Sequence, residues 1–163
     1  MRALLVLLLA AGLAAGCDRA AAPPPRPATT TPAAAAPAGG ACGGGDAVGD
    51  PLSPTYRPGT PVREVVGHGH VLTGTVRSLR DCAPIAGARV ELWPEIAGRG
   101  HPDDQRATVL TGADGRYRFQ CDPPEHIHMR FSAKGYVPLA SNRYHPQGQA
   151  SGRFDVLLTP SAS

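Results

Sequence analysis

From Val71 onward the chain consists of short β-rich runs separated by turn residues. No window after Pro51 sustains a 3.6-residue apolar period with helix caps. Val71–Arg77 predicts a first strand. In Ala88–Trp93 small or charged residues alternate with apolar ones, so Val90 and Leu92 point to one side. Ala107–Thr111 and Arg116–Gln120 flank Gly112-Ala113-Asp114-Gly115, whose Asp-Gly pair predicts a hairpin. His126–Ser132 alternates most cleanly. Ile127, Met129 and Phe131 are assigned to the core, and His126, His128, Arg130 and Ser132 to the other face. Val137–Tyr144 and Arg153–Leu158 follow. Prolines 84, 94, 123, 124, 138 and 146 are expected at strand ends or between strands, where a missing N–H costs least. About seven short strands in one small domain predict an all-β fold, an antiparallel β-sandwich.

The first 50 residues follow other rules. Arg2 precedes an apolar run from Ala3 to Ala15, too short to span a bilayer and the right length for a signal-peptide core, so residues 1–16 are read as a signal peptide. The run ends Leu13-Ala14-Ala15-Gly16-Cys17, which resembles the bacterial lipobox. Cys17 would then be lipidated and become the mature N-terminus, and an ordinary secretory signal is the alternative. Of the 33 residues from Asp18 to Asp50, 23 are Ala, Pro or Gly. Such a segment lacks the apolar side chains that offset folding entropy, so residues 17–50 are read as a disordered tether. The folded domain is placed at 51–163, outside the cytoplasm and anchored to a membrane through the N-terminal lipid.

All eight aromatic residues and all six histidines lie in that domain, with 13 Arg or Lys against 10 Asp or Glu. The charges are scattered singly, with no basic cluster among stacking aromatics, which argues against a nucleic-acid partner. No second apolar span exists for a polytopic membrane protein. Oligomeric state is not legible. An oxidising compartment favours pairing cysteines. Cys82 and Cys121 each follow a predicted strand, so they are expected to form a disulfide worth about 4 kcal/mol, with Cys42 free on the tether. No C-x-x-C pair supports a zinc site.

Two families are resembled. Gly74-Thr75-Val76, Pro84-Ile85-Ala86-Gly87-Ala88-Arg89-Val90 and Thr111 to Phe119 are similar to the transthyretin-like or carboxypeptidase-regulatory-like sandwich module. The implied topology is transthyretin- or immunoglobulin-like. The narrower resemblance is to intradiol ring-cleavage dioxygenases of the catechol and protocatechuate type. It is carried by Tyr56 to Arg63, Val90-Glu91-Leu92-Trp93, His126-Ile127-His128, Ser132 to Tyr136, Tyr144 to Gln149 and Gly152 to Leu158. That resemblance implies a non-haem iron cofactor, a small aromatic diol as substrate, and His126 and His128 as metal ligands. The family holds Fe(III) with two tyrosinates as well as two histidines. Here the stretch expected to hold the first reads Gly98-Arg99-Gly100-His101, and the link expected to hold the second reads Gln120 to Glu125. Neither contains a tyrosine. The arginine expected just before the histidines is replaced by Pro123 or Pro124, and a glutamine expected before Tyr144 appears as Asn142.

His126 and His128 are two apart on a strand and share a face, which suits a shared metal or simply a polar strand face. Two neutral imidazoles alone favour a divalent metal over Fe(III), so another divalent metal or none is the alternative to iron. Glu125 would complete a two-histidine, one-carboxylate ferrous site only if the strand starts irregularly. Asp122 and His101 reach the site only through loops. His68 and His70 are expected in solvent, Trp93 in the core, and Tyr56, Tyr117, Tyr136 and Tyr144 in structural positions. Three functions therefore compete: an exported dioxygenase-like lipoprotein with impaired ring cleavage, a non-catalytic surface domain binding a ligand or partner, and a purely structural module.

Overall fold

A computed structural model describes residues 42, 43, 45–47 and 49–162, all within the unit spanning 35–163. The expected signal peptide, Cys17 and most of the tether lie outside the described residues. Among the described residues, eight strands form two sheets. They are β1 (His70–Ser78), β2 (Arg89–Ile96), β3 (Ala107–Leu110), β4 (Arg116–Cys121), β5 (Pro124–Ser132), β6 (Leu139–Tyr144), β7 (Ser151–Arg153) and β8 (Val156–Leu158). One sheet runs β4-β1-β7, with β8 also on β1, and the other runs β3-β2-β5-β6. The fold is the expected all-β sandwich, rich in antiparallel pairs. Leu72 and Val76 from one sheet meet Val90, Leu92, Ile127, Met129 and Phe131 from the other, all buried in one cluster with Phe119 and Phe154. Gly74 takes an inward position of β1 because a Cβ there would collide with the Phe154 carbonyl and the Tyr117 ring.

Several expectations are corrected. β3 and β4 do not form a hairpin: β3 pairs with β2, and β4 with β1, in the opposite sheet. The Asp-Gly turn exists, with the Gly112 N–H donating to Arg116 O (2.9 Å) and Gly115 at φ 74°. The turn arches over the core instead of reversing within a sheet. Local turn chemistry sets the bend but not the partner. The last expected strand is split at Phe154-Asp155, and both halves lie parallel to β1. There the Asp155 carboxylate replaces a ladder carbonyl, accepting the Thr75 N–H (2.9 Å) and hydroxyl (2.8 Å). Pro94 falls inside β2, beyond the last β2–β3 pair at Leu92↔Ala107, so its missing N–H leaves no bond to β3 unmade.

The expected Cys82–Cys121 bridge is also overturned. Cys42 pairs with Cys82, and Cys121 is a free thiol in the core. Cys121 is opposite His70 at one end of β1, whereas the Cys82 N–H bonds to Ser78 O at the other end. Eight residue steps of strand separate those ends by about 26 Å, far beyond disulfide reach. The chain is thus already held against the sandwich before residue 50. Besides the disulfide, Asp46 N–H donates to Asp155 O (2.7 Å) and Asp50 N–H to Ala140 O (3.0 Å). Further on, residues 61–66 bond first to Thr108 on β3 and then to Gln120 on β4, closing the open side between the sheets.

Candidate metal centre

The outer face of the second sheet carries a ladder of cross-strand pairs between β2 and β5: Glu91↔Arg130, Trp93↔His128 and Glu95↔His126. Such pairs are side-chain neighbours in an antiparallel sheet. Glu91 and Arg130 are ion-paired at 2.7 Å, and the Trp93 ring stacks on His128 with centroids 5.8 Å apart. Residues 53–56 lie over this face. Trp93 Nε1 donates to Thr55 Oγ1 (3.1 Å) and Tyr56 OH to Glu91 Oε1 (3.1 Å). Trp93 is therefore buried, as expected, but on the face bearing the histidines and outside the inter-sheet core cluster.

His101 joins the pair from the loop after β2. Gly98 and Gly100 take φ of 71° and 64°, a left-handed conformation that glycine adopts freely, and Ile96 N–H bonds to Gly100 O (2.8 Å). Arg99 ties the loop to Asp104 (2.8 Å) and Asp122 (3.4 Å). The buried Arg106 holds the loop from beneath, donating to the carbonyls of His101 (3.1 Å) and Thr55 (2.9 Å) and to Asp103 (3.1 Å).

The three imidazoles are oriented alike. Each Nδ1 faces an oxygen: Pro94 O for His101 (3.2 Å), Glu95 Oε2 for His126 (3.2 Å) and Asn142 Oδ1 for His128 (2.6 Å). The Asn142 amide is fixed in that sense because its Nδ2 donates to Pro51 O (3.2 Å). An oxygen acceptor at each Nδ1 places the proton there and leaves Nε2 with a lone pair. His126 and His128 bring Nε2 to Nε2 at 2.9 Å, and one nitrogen from each of the three histidines lies within 4.8 Å of the others. Two imidazoles bound to one tetrahedral ion at 2.0–2.1 Å would place their nitrogens about 3.3 Å apart, so this pair is slightly closer than such a site requires. At 2.9 Å either a proton on one Nε2 or a metal ion against both lone pairs satisfies the contact. Burial is the chief reason that His126 and His128 titrate below the ordinary histidine value. Neighbouring histidines lower them further, while Glu95 opposes the effect at His126 and Asn142 opposes it at His128. Both rings are thereby kept in the neutral form that binds metal.

Of the residues singled out from sequence, His126 and His128 come together and His101 completes the group. Glu125 does not join it. The strand start is irregular, with Glu95 opposite His126 but Ile96 opposite Pro124, and Glu125 is the extra, exposed residue. Asp122 accepts from His68 N (3.0 Å), Gln105 Nε2 (3.1 Å) and Arg99, fixing loops instead of ligating. His68 is exposed as expected. His70 is not: it is fully buried, with Nδ1 on Gln149 O (2.7 Å) and Nε2 on the Tyr144 hydroxyl (2.8 Å). Tyr117 donates to Phe154 O (2.7 Å), Tyr136 bridges to Pro160, and Tyr56 is taken by Glu91. Among the described residues no tyrosinate pair of the kind that holds Fe(III) is assembled, so the donor set does not fit that centre. It fits a divalent ion bound by neutral nitrogens. Glu95 gave no signal of its own in the sequence, because only the β2–β5 pairing brings it to His126.

Residues 71–159, more than half of the chain, match the carboxypeptidase regulatory-like domain. The chain belongs to that family. No curated protein matches it. Among solved structures, this carboxypeptidase regulatory-like domain is similar to the dioxygenase domain of a dioxygenase carbohydrate-binding protein fusion from Streptomyces sp. SirexAA-E (20% identity, TM-score 0.58). That alignment covers 71% of this chain and 99% of the other. It is also similar to hydroxyquinol 1,2-dioxygenase from Pseudomonas putida DLL-E4 (14%, TM-score 0.59, covering 72% and 68%). Chlorocatechol 1,2-dioxygenase from Pseudomonas putida is a third such structure (18%, TM-score 0.58, covering 69% and 71%). At these identities the likeness is one of fold: the sandwich is intradiol-dioxygenase-like.

Proposed function

We propose that this protein is an exported, membrane-anchored metal-binding domain. In this reading it holds a divalent ion on His101, His126 and His128 and takes small aromatic diols at that ion. The observation that carries the proposal is the orientation of the three rings, each with Nδ1 held by an oxygen and with one nitrogen from each brought to one place. Outer hydrogen bonds of this kind fix ligand orientation in metal sites. Three protein ligands leave further coordination positions open to a diol or water. The diol class is suggested by the names of the structurally similar enzymes. Ferric ring cleavage is not expected, because neutral imidazoles do not stabilise Fe(III) as two tyrosinates do. The Cys42–Cys82 disulfide supports an oxidising compartment.

Trp93 is the single tryptophan, and it is stacked on His128, so its fluorescence reports on the site. Titration of the mature protein with Zn²⁺ or Fe²⁺ should change that fluorescence and saturate at one equivalent. The His126→Ala/His128→Ala double variant should remain folded, since Ile127, Met129 and Phe131 keep the core side, and should lose the response. Equal metal uptake by the double variant would overturn the site. Iron-dependent oxygen uptake with catechol, abolished in the double variant, would overturn the claim that ring cleavage is lost.

A further inference from the structure

A fourth histidine lies beside the three that form the centre. His145 follows the last residue of β6, and its ring centre is 5.4 Å from that of His126. We propose that His145 is a fourth nitrogen ligand of the same ion, closing the site into a four-imidazole shell. The proposal rests on the three-histidine reading above and adds to it a residue delivered by β6.

Strand register puts this side chain on the histidine face. Ile127 and Tyr144 are paired, and both are turned into the core. One step beyond that pair, His126 on β5 and His145 past the end of β6 lie side by side on the outer face. Glu95 flanks His126 from β2 on its other side. Two imidazoles on one tetrahedral ion at 2.0–2.1 Å have ring centres about 5 Å apart. His101 is 5.7 Å from His126 by the same measure, so His145 stands no further from that ring than His101 does. Its nitrogens are not among those that lie within 4.8 Å of one another. The side chain is exposed, and among the described residues it carries no hydrogen bond or ion pair. Rotation between its staggered positions can therefore bring a nitrogen inward without breaking a bond.

The backbone beneath it is fixed. Buried His70 spends both ring nitrogens on this segment: the Tyr144 hydroxyl donates to Nε2 (2.8 Å), and Nδ1 donates to Gln149 O (2.7 Å). Pro146 is buried, and the Gln149 N–H donates to Pro146 O (3.0 Å) across a turn with Gln147 and Gly148 at φ of 49° and 80°. The chain is thus tied down on either side of His145. A fixed backbone bearing an unheld imidazole suits a ligand that closes on an ion the other three have bound. Four imidazole nitrogens complete a tetrahedral shell for a divalent ion, and expansion by one position still admits a diol oxygen.

The number of bound imidazoles tests the proposal, with Cu²⁺ as the probe because its electron spin senses the nitrogens attached to it. Pulsed EPR of the full chain with one equivalent of Cu²⁺ should count four imidazoles, and His145→Ala should count three. In calorimetric titration with Zn²⁺, His145→Ala should bind at least about tenfold more weakly, the scale on which even outer partners of a ligand act. His145→Phe, which keeps a ring over the site without its nitrogens, should match His145→Ala in both measurements. A count of three in the unaltered chain, or a Zn²⁺ affinity unchanged by His145→Ala, would overturn the fourth ligand and leave the three-histidine centre standing. Metal uptake retained by the His126→Ala/His128→Ala variant would overturn that centre, and this proposal with it.

Discussion

Glu95 is the residue on which the histidine centre is most finely balanced. Its Oε2 lies 3.2 Å from His126 Nδ1, behind that ring, and 4.0 Å from His101 Nε2. A carboxylate behind an imidazole makes it a stronger donor, and loss of such a partner costs about 10- to 100-fold in affinity. Glu95→Gln keeps an acceptor oxygen but removes the charge. It should lower metal affinity about tenfold in the Trp93 fluorescence titration, and an unchanged affinity would show that the carboxylate takes no part. The lowered titration of His126 and His128 has a defined sign for stability. As pH falls, the unfolded chain takes up protons first, near the ordinary histidine value of about 6.5. The contribution of the two rings is therefore fully present above that value, and it is lost as pH falls through their lower folded values. Denaturant midpoints of the metal-free protein should fall between pH 7.5 and 5.5, and less so in the His126→Ala/His128→Ala variant.

At the scale of elements, β2 and β5 form the platform and short irregular segments complete it. Residues 53–56, the Ile96–His101 turn and β6 with Asn142 supply the contacts that fix the rings or cover the face. The Cys42–Cys82 disulfide acts at the other end, fastening the start of the described chain beside the exit of β1. Closing a loop of 40 residues stabilises the domain by about 4 kcal/mol on the chain-entropy estimate. Non-reducing peptide mapping should give a single Cys42–Cys82 cross-link. Cys121, buried and with its thiol pushed up to about 12, should not react with a thiol reagent until the domain unfolds. Rapid labelling of Cys121 in the native state would contradict its place in the core.

At the scale of the whole molecule, the two sheets turn chemically different faces outward. One presents neutral nitrogen ligands stacked against an aromatic ring, and the other presents arginines over threonines. The Ala- and Pro-rich segment ahead of Cys42 would let both faces remain accessible on a tethered protein. Mass spectrometry of the membrane fraction should find a diacylglyceryl-modified Cys17. A soluble mature form beginning at another residue would remove the lipoprotein reading.

The sequence by itself determined the strands, their inward faces and the shared side of His126 and His128. Those features depend on alternation, which is local and has a period of two residues. It also marked the missing tyrosines, because they are a matter of residue identity. Only the tertiary structure decided which strands pair. That choice turned an expected hairpin into an arch between sheets, placed Glu95 and Trp93 beside the histidines, and delivered His101 from a glycine-rich turn. It also joined Cys42 to Cys82 across 40 residues and left Cys121 at the far end of β1. Each of these depends on contacts between segments distant in the chain, and no local pattern encodes their distance.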